Sequence, residues 1–449
     1  MEELLGELSG IVWGLPLIIL LVGTGILITL RTGAIQTKLK ESFAILKGER
    51  DDPEDDGEID HFEALTAALS ATIGTGNIAG VGTAIAIGGP GAVFWMWVTG
   101  IFGMATKFAS CVLAQKYRVV NEDGSVSGGP MYYLEEGLGQ KWLGVLFALF
   151  AGIASFGIGN MVQANSVAAP LNANFGIPTA ATGIVLALIV GSVIIGGIKR
   201  IGKVTSKVVP FMAAVYFLGG VLVLLVNIAE VPAALAFIIR QAFTPTSAVG
   251  GFTGAMVLTT VRMGVARGIF SNEAGLGSSP MAHSAAKAGH PVHEGLVAML
   301  GPMIDTLIVA SVTALVIVVT GAWESGLTGT ELTASAFNQG LPGPGGAIVT
   351  FGIIFFAIST AISWSYYGER SVEYLFGKGA IKFYRWVFIL AIPVGAMVEL
   401  ELIWLLADVA NGLMAFPNLV GIIGLSGVVI KEAKDYFQSL DNTGISRGL

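Results

Sequence analysis

The chain has 449 residues, of which 54% are hydrophobic and only 12% charged, about half the roughly 25% charged share of soluble domains. Its mean hydropathy is strongly positive, more apolar than a soluble fold can bury, and apolar runs of this length read as membrane helices. The net charge is −7 and there is one cysteine, Cys111, which excludes an internal disulfide framework and any multi-cysteine metal centre.

In chain order the hydropathy pattern predicts eleven spans, at about 11–30, 62–87, 90–113, 142–173, 180–197, 205–228, 253–283, 294–320, 345–374, 382–398 and 401–430. The first is too long for a signal peptide and follows Glu2, Glu3 and Glu7 rather than a basic segment, so it is read as a helix. Pro417 is a candidate to split the last. Alternating the connections with the N-terminus outside puts 21 of the 24 Lys and Arg residues in cytoplasmic segments, Lys107 and the tail included. That bias predicts an N-out, C-in, multi-pass protein of the cell membrane. The acidic run 49–60 reads as a solvated cytoplasmic linker, and 229–252 as an outside connection with a short interfacial helix. His283, His290 and His293 read as a polar loop rather than a metal site.

The second span contains "SATIGTGNIAGVG", residues 70–82. A dinucleotide fingerprint needs a preceding strand and a following acidic residue, and this stretch has neither. Helix packing explains the glycines but not the polar cluster of Ser70, Thr72, Thr75 and Asn77 at mid-membrane depth. Non-helical backbone is tolerated there only where it is buried in protein or lines a cavity, so a broken helix is expected. Free amides at such a break suit an anion, and free carbonyls with Asn and Thr oxygens suit a hard cation. Residues 267–281, "RGIFSNEAGLGSSPM", repeat the pattern with Ser271, Asn272, Gly275, Gly277 and Glu273. Setting the first span aside, the two clusters fall in helices one and six of ten. That is the arrangement of an all-α transporter built as a five-plus-five inverted repeat behind one extra N-terminal helix.

Ionisable groups at this depth are functional candidates. Glu273 is expected either to serve the site or to pair with Arg262 or Arg267, and Asp305 either to bind a cation or to hold the bundle together. Ser359, Thr360 and Ser363 share one face of a later span. Gln163, after the interrupted "FGIGN" at 156–160, adds a polar group, and Trp364, Tyr366 and Tyr367 offer pocket walls. No ATP-binding motif and no HExxH motif occurs, so neither a primary pump nor an enzyme is expected.

Four stretches carry a family resemblance, "SATIGTGNIAGVG" (70–82) among them. "GGPGAVFWMW" (88–97) resembles the signature of the alanine or glycine:cation symporters, and "SGGPMYYLEEGLG" (127–139) and "RGIFSNEAGLGSSP" fit the same family, over essentially the whole chain. The resemblance implies sodium-coupled uptake of alanine or glycine by a LeuT-type fold, in a lipid bilayer, with no cofactor, no metal other than Na⁺ and no nucleic-acid partner. It places the substrate carboxylate at the amides of Gly74, Thr75 and Gly76, and the amine around Phe270, Ser271, Asn272 and Glu273. Thr72, Asn77, Gln163, Gly275 and Trp364 complete the implied substrate site. Thr72, Asn77 and Ser271 match a first cation position, and Ser70, Ile73, Ser359 and Thr360 a second. Glu273 stands where the broader fold often has a small hydroxyl residue, which keeps proton coupling as the alternative and a channel as a more distant one. The implied organisation is 1–61 extra helix and linker, 62–228 first repeat, 229–252 connection, 253–437 second repeat and 438–449 tail.

Overall fold

The structure is a computed structural model that describes residues 2–244, 253–398 and 401–442. Part of the expected outside connection (245–252) and most of the tail (443–449, with Arg447) lie outside the described residues. The described chain is helical apart from one small antiparallel pair, β1 (Val119–Val120) with β2 (Val126–Ser127).

Helix α1 (Glu2–Val12) and α2 (Leu15–Arg31) form the N-terminal apolar segment, interrupted at Trp13-Gly14, where Pro16 helps restart the helix. After the short α3 (Leu39–Leu46), α4 (His61–Thr72) begins on a capping box between Asp60 and Glu63. Helix α5 (Gly76–Gly88) continues it after a 50° bend. Then come α6 (Ala92–Lys116) and α7 (Lys141–Ala173), with π geometry at Gly157–Met161. Helices α8 (Thr179–Ile194), α9 (Gly197–Val226) and the short α10 (Val231–Gln241) complete the first half. In the second half, α11 (Thr253–Asn272) stops and the short α12 (Ser279–His283) resumes after it. Helix α13 (Pro291–Val319) follows, then α14 (Gly329–Gly340), α15 (Pro344–Phe376), α16 (Ala380–Met397), α17 (Glu401–Gly424) and α18 (Ser426–Asn442).

Eight described helices are long and apolar enough to cross a membrane, or nine if the bent α4–α5 pair is one span. Helix α8 is apolar but only 16 residues long, and α11 carries Arg262 and Arg267. Close packing brings the central helices together. A methyl group on Gly264 would lie 2.3 Å from the Ala92 carbonyl, and one on Gly268 2.3 Å from Thr99 Oγ1, so α11 lies directly on α6. Helix α15 packs against α4, α7 and α9, α17 against α7, and α1 against α17.

The break expected inside the span at 253–283 is present, with the helix ending at Asn272 and restarting at Ser279. One boundary expectation is corrected. The span at 401–430 ends at Gly424, and Pro417 sits inside the unbroken α17 rather than splitting it. Helix α18 is separate and buries one face, through Ser426, Val429, Ala433, Tyr436 and Leu440. The linker and histidine loop are also more ordered than their composition suggests. Glu58 N donates to the Ala285 carbonyl at 2.8 Å, and buried His61 and His283 both hold the buried Glu294 carboxylate through Nδ1. No cluster suited to a metal ion occurs among the described residues.

Candidate functional site

At the first break α4 ends at Thr72 and α5 starts with a π turn over Gly76–Gly80. The Asn77 side chain closes the gap: Gly74 N donates to Asn77 Oδ1 at 3.0 Å, and Asn77 N donates to the Gly74 carbonyl at 3.1 Å. Helix α15 sits against this exposed backbone. The Ser70 carbonyl accepts from Thr360 Oγ1 at 3.2 Å and Ser359 Oγ at 3.4 Å, while Ser70 Oγ donates to the Ser359 carbonyl at 2.6 Å. The approach is so close that a methyl group on Gly74 would meet Thr360 Oγ1 at 2.7 Å.

The second break is built by side chains as well. Asn272 Oδ1 accepts from Ala274 N at 2.9 Å, and Glu273 adopts φ 55°, a left-handed conformation unusual outside glycine. Its carboxylate accepts from Ser278 Oγ at 2.6 Å and Ser279 Oγ at 3.3 Å. Lys107 Nζ donates to the Asn272 carbonyl at 2.9 Å, one of the orphan acceptors at the end of α11.

Asp305 of α13, in a π-helical segment over Met303–Ala310, joins the two breaks. It is fully buried and accepts from Asn77 Nδ2 at 2.9 Å, from Ser271 Oγ at 2.9 Å and from Thr306 Oγ1 at 2.8 Å. Asn272 Nδ2 donates to Thr306 Oγ1 at 3.0 Å, which ties the end of α11 to the same point.

Beside this network lies a cavity of about 20 Å³. It is lined by Thr72, Gly74, Thr75, Gly76, Gln163, Phe270, Glu273 and Trp364 from the expected substrate set, and by Thr360 from the expected cation set. Gln163 is held by its Nε2 donating to the Ile158 carbonyl at 2.9 Å, a group presented by the π turn of α7, and it lies 3.5 Å from Thr75 Oγ1. Phe270 and Thr75 also line a second cavity of about 270 Å³, together with Arg267 and Asp408.

Some expected residues lie elsewhere. Asn77, Asn272 and Ser271 form the network behind the cavity rather than its lining. Gly275 (φ 94°) faces Leu21 of α2, which an added methyl group would approach to 2.6 Å, and its carbonyl accepts from Asn418 Nδ2. Pairing of Glu273 with Arg262 or Arg267 is not found. Arg262 donates to the Gly10 carbonyl at 3.0 Å, and the Arg267 guanidinium lies over the Phe270 ring at 5.7 Å. The cause is local: both arginines lie on α11, whereas Glu273 follows the helix end and is turned by its left-handed backbone onto Ser278 and Ser279. Three lining residues were missed, namely Ala71, Ile158 and Asn411, whose buried Oδ1 has no hydrogen-bond partner among the described residues. Lys107 was counted with the cytoplasmic basic residues, although it falls inside a span, and it is buried beside the second break. A lysine inside the run 92–113 was the available signal, because such a charge is costly unless paired.

Helices long enough to cross a membrane, with two helix interruptions beside one small buried polar cavity, fit a membrane transporter. The chain belongs to the sodium:alanine symporter family, whose model matches residues 1–446. It is 49% identical to the sodium/alanine symporter AgcS of Methanococcus maripaludis, over 97% of each chain. It is equally similar, at 49%, to an uncharacterized transporter of Haemophilus influenzae over 98% of this chain and 97% of that one. The uncharacterized transporter YflA of Bacillus subtilis is 42% identical over 98% of this chain and 95% of its own.

Proposed function

We propose that the protein is a secondary symporter that couples inward Na⁺ movement to uptake of a small neutral amino acid, alanine or glycine or both. The observation that carries this reading is the Asn77–Asp305–Ser271 network, which locks the two helix breaks together beside the cavity. The substrate carboxylate meets the amides of Thr75 and Gly76 at the positive end of α5, since the Gly74 amide is engaged by Asn77. The ammonium faces Glu273 and the end of α11. Thr72, Asn77 and Ser271, with the carboxylate of Asp305, supply hard oxygen ligands for one Na⁺, and Ser70, the Ile73 carbonyl, Ser359 and Thr360 supply a second site. Trp364, Phe270 and Ile158 leave little room for a side chain, which supports alanine and glycine over larger substrates. Proton coupling through Glu273 is the second reading, favoured by a carboxylate held among neutral hydroxyl donors.

At the scale of the fold, the proposal is eleven spans, with α4–α9 and α11–α17 as two inverted LeuT-type repeats behind the extra N-terminal segment. Rocking of one part against the other then alternates access, with the N-terminus outside and the C-terminus inside the cell membrane. Equilibrium binding of labelled L-alanine to the purified protein tests the site. A Na⁺-dependent component of binding, weakened at least tenfold by Asn77→Ala, is expected. Equal binding in choline and Na⁺ would remove the cation from the site.

A further inference from the structure

A cavity of about 310 Å³ lies at the other end of α15, between the start of α9, the start of α16 and the β1–β2 turn. It is distinct from the central cavity. Trp364 lines the central one and Tyr366 this one, and two residues along a helix project to nearly opposite sides. By the distribution of Lys and Arg it opens on the cytoplasmic side.

Its walls are built rather than incidental. Four acidic and four basic side chains line it, a balance of zero. The fixed pairs hold the frame: Arg370 bonds Glu369 at 2.8 Å and Glu373 at 2.7 Å, and Arg385 grips Glu369 through two nitrogens at 2.6 and 2.9 Å. Two buried hydrogen-bond donors in these walls remain without a partner among the described residues, Tyr366 Oη and Arg370 Nε. Their side chains are only 2% and 5% exposed and line the cavity. Buried donors left unpaired are costly, so they mark a place where a polar ligand completes the site.

We propose that this cavity is a second binding site for the transported amino acid, occupied from the cytoplasmic side. The carboxylate accepts from Tyr366 Oη and Arg370 Nε, and the ammonium rests against Glu373 and Glu58. A bare anion fits the walls less well, because four carboxylates face it. The site supplies its own charges of both signs, so binding there needs no Na⁺, in contrast to the central site. The identity of the ligand rests on the proposed function.

The test uses the full-length protein with Cys111→Ala and a reporter thiol, Ile381→Cys, in the cavity wall. L-alanine in Na⁺-free buffer is expected to slow its reaction with a charged methanethiosulfonate at least threefold. Tyr366→Phe and, independently, Glu58→Gln are expected to abolish that protection, with each variant checked for folding by size-exclusion elution. No protection by L-alanine overturns the inference, as does protection that appears only with Na⁺. Equal protection by inorganic phosphate overturns it in favour of a simple anion site. Absent protection alongside intact Na⁺-dependent L-alanine binding overturns this second site alone. Absent Na⁺-dependent binding alongside intact protection overturns the central-site reading instead.

Discussion

Gly74 shows how tightly one residue binds sequence to site. Its missing side chain lets α15 lie on the broken backbone, with Thr360 Oγ1 where a methyl group would sit, 2.7 Å away. Gly74→Ala therefore forces Thr360 or the break to shift, at a cost of about 1–3 kcal/mol for overpacking. Transport is expected to fall at least tenfold in vesicles that hold normal amounts of protein; wild-type rates would show that the close approach is dispensable. Asp305 is the other centre, because its carboxylate accepts from Asn77 at the first break and from Ser271 at the second. Ser271→Ala removes one of its donors and a proposed Na⁺ ligand. The Na⁺ concentration for half-maximal L-alanine uptake is expected to rise about fivefold or more, against a smaller change in the alanine KM. An unchanged Na⁺ response would take Ser271 out of the cation site.

At the scale of elements, the breaks were legible and their construction was not. Ser70, Thr72, Thr75 and Asn77 are too polar for a mid-membrane helix unless it is interrupted, and α4 does stop at Thr72. The second cluster marked its break in the same way. What stayed hidden was geometry set by distant partners. Glu273 takes a left-handed conformation and turns from the arginines in its own sequence neighbourhood to Ser278 and Ser279. Lys107 reaches the end of α11 across a gap of 165 residues, and no local pattern announces such a contact. Pro417 was misjudged because a proline in an apolar helix need not break it when surrounding protein meets the freed backbone groups.

Helix α18 gives the element scale its own prediction. Buried Glu41 of α3 accepts from Arg50 Nε at 2.9 Å and from Tyr436 Oη of α18 at 2.5 Å. Burial pushes the Glu41 carboxyl up, but the bonds from Arg50 and Tyr436 outweigh it and hold the carboxyl below its usual value. A depressed pKa stabilises the folded clip above the ordinary carboxylate range, near about 4.3, and that contribution is lost as pH falls through the lower folded value. Amide hydrogen exchange in α18 is expected to accelerate below about pH 4, and Arg50→Gln should move the onset to higher pH. Exchange that ignores both pH and Arg50 would show that the clip does not hold α18.

For the whole molecule, composition pointed to a polytopic membrane protein, and the two polar helix breaks with the family motifs extended that to a transporter. The family match over residues 1–446 carries the family, while the internal repeat, the orientation and the cation sites rest on the proposal. Coupling is physically sufficient, since one charge moving down 100 mV releases roughly 2.3 kcal/mol. The most direct measurement follows labelled L-alanine in proteoliposomes with an inward Na⁺ gradient, against a choline control and against a collapsed gradient. Accumulation above the outside concentration, only with the Na⁺ gradient and lost when it collapses, is the predicted result. Uptake that merely equilibrates, or that is the same in choline, would contradict Na⁺-coupled symport by this protein.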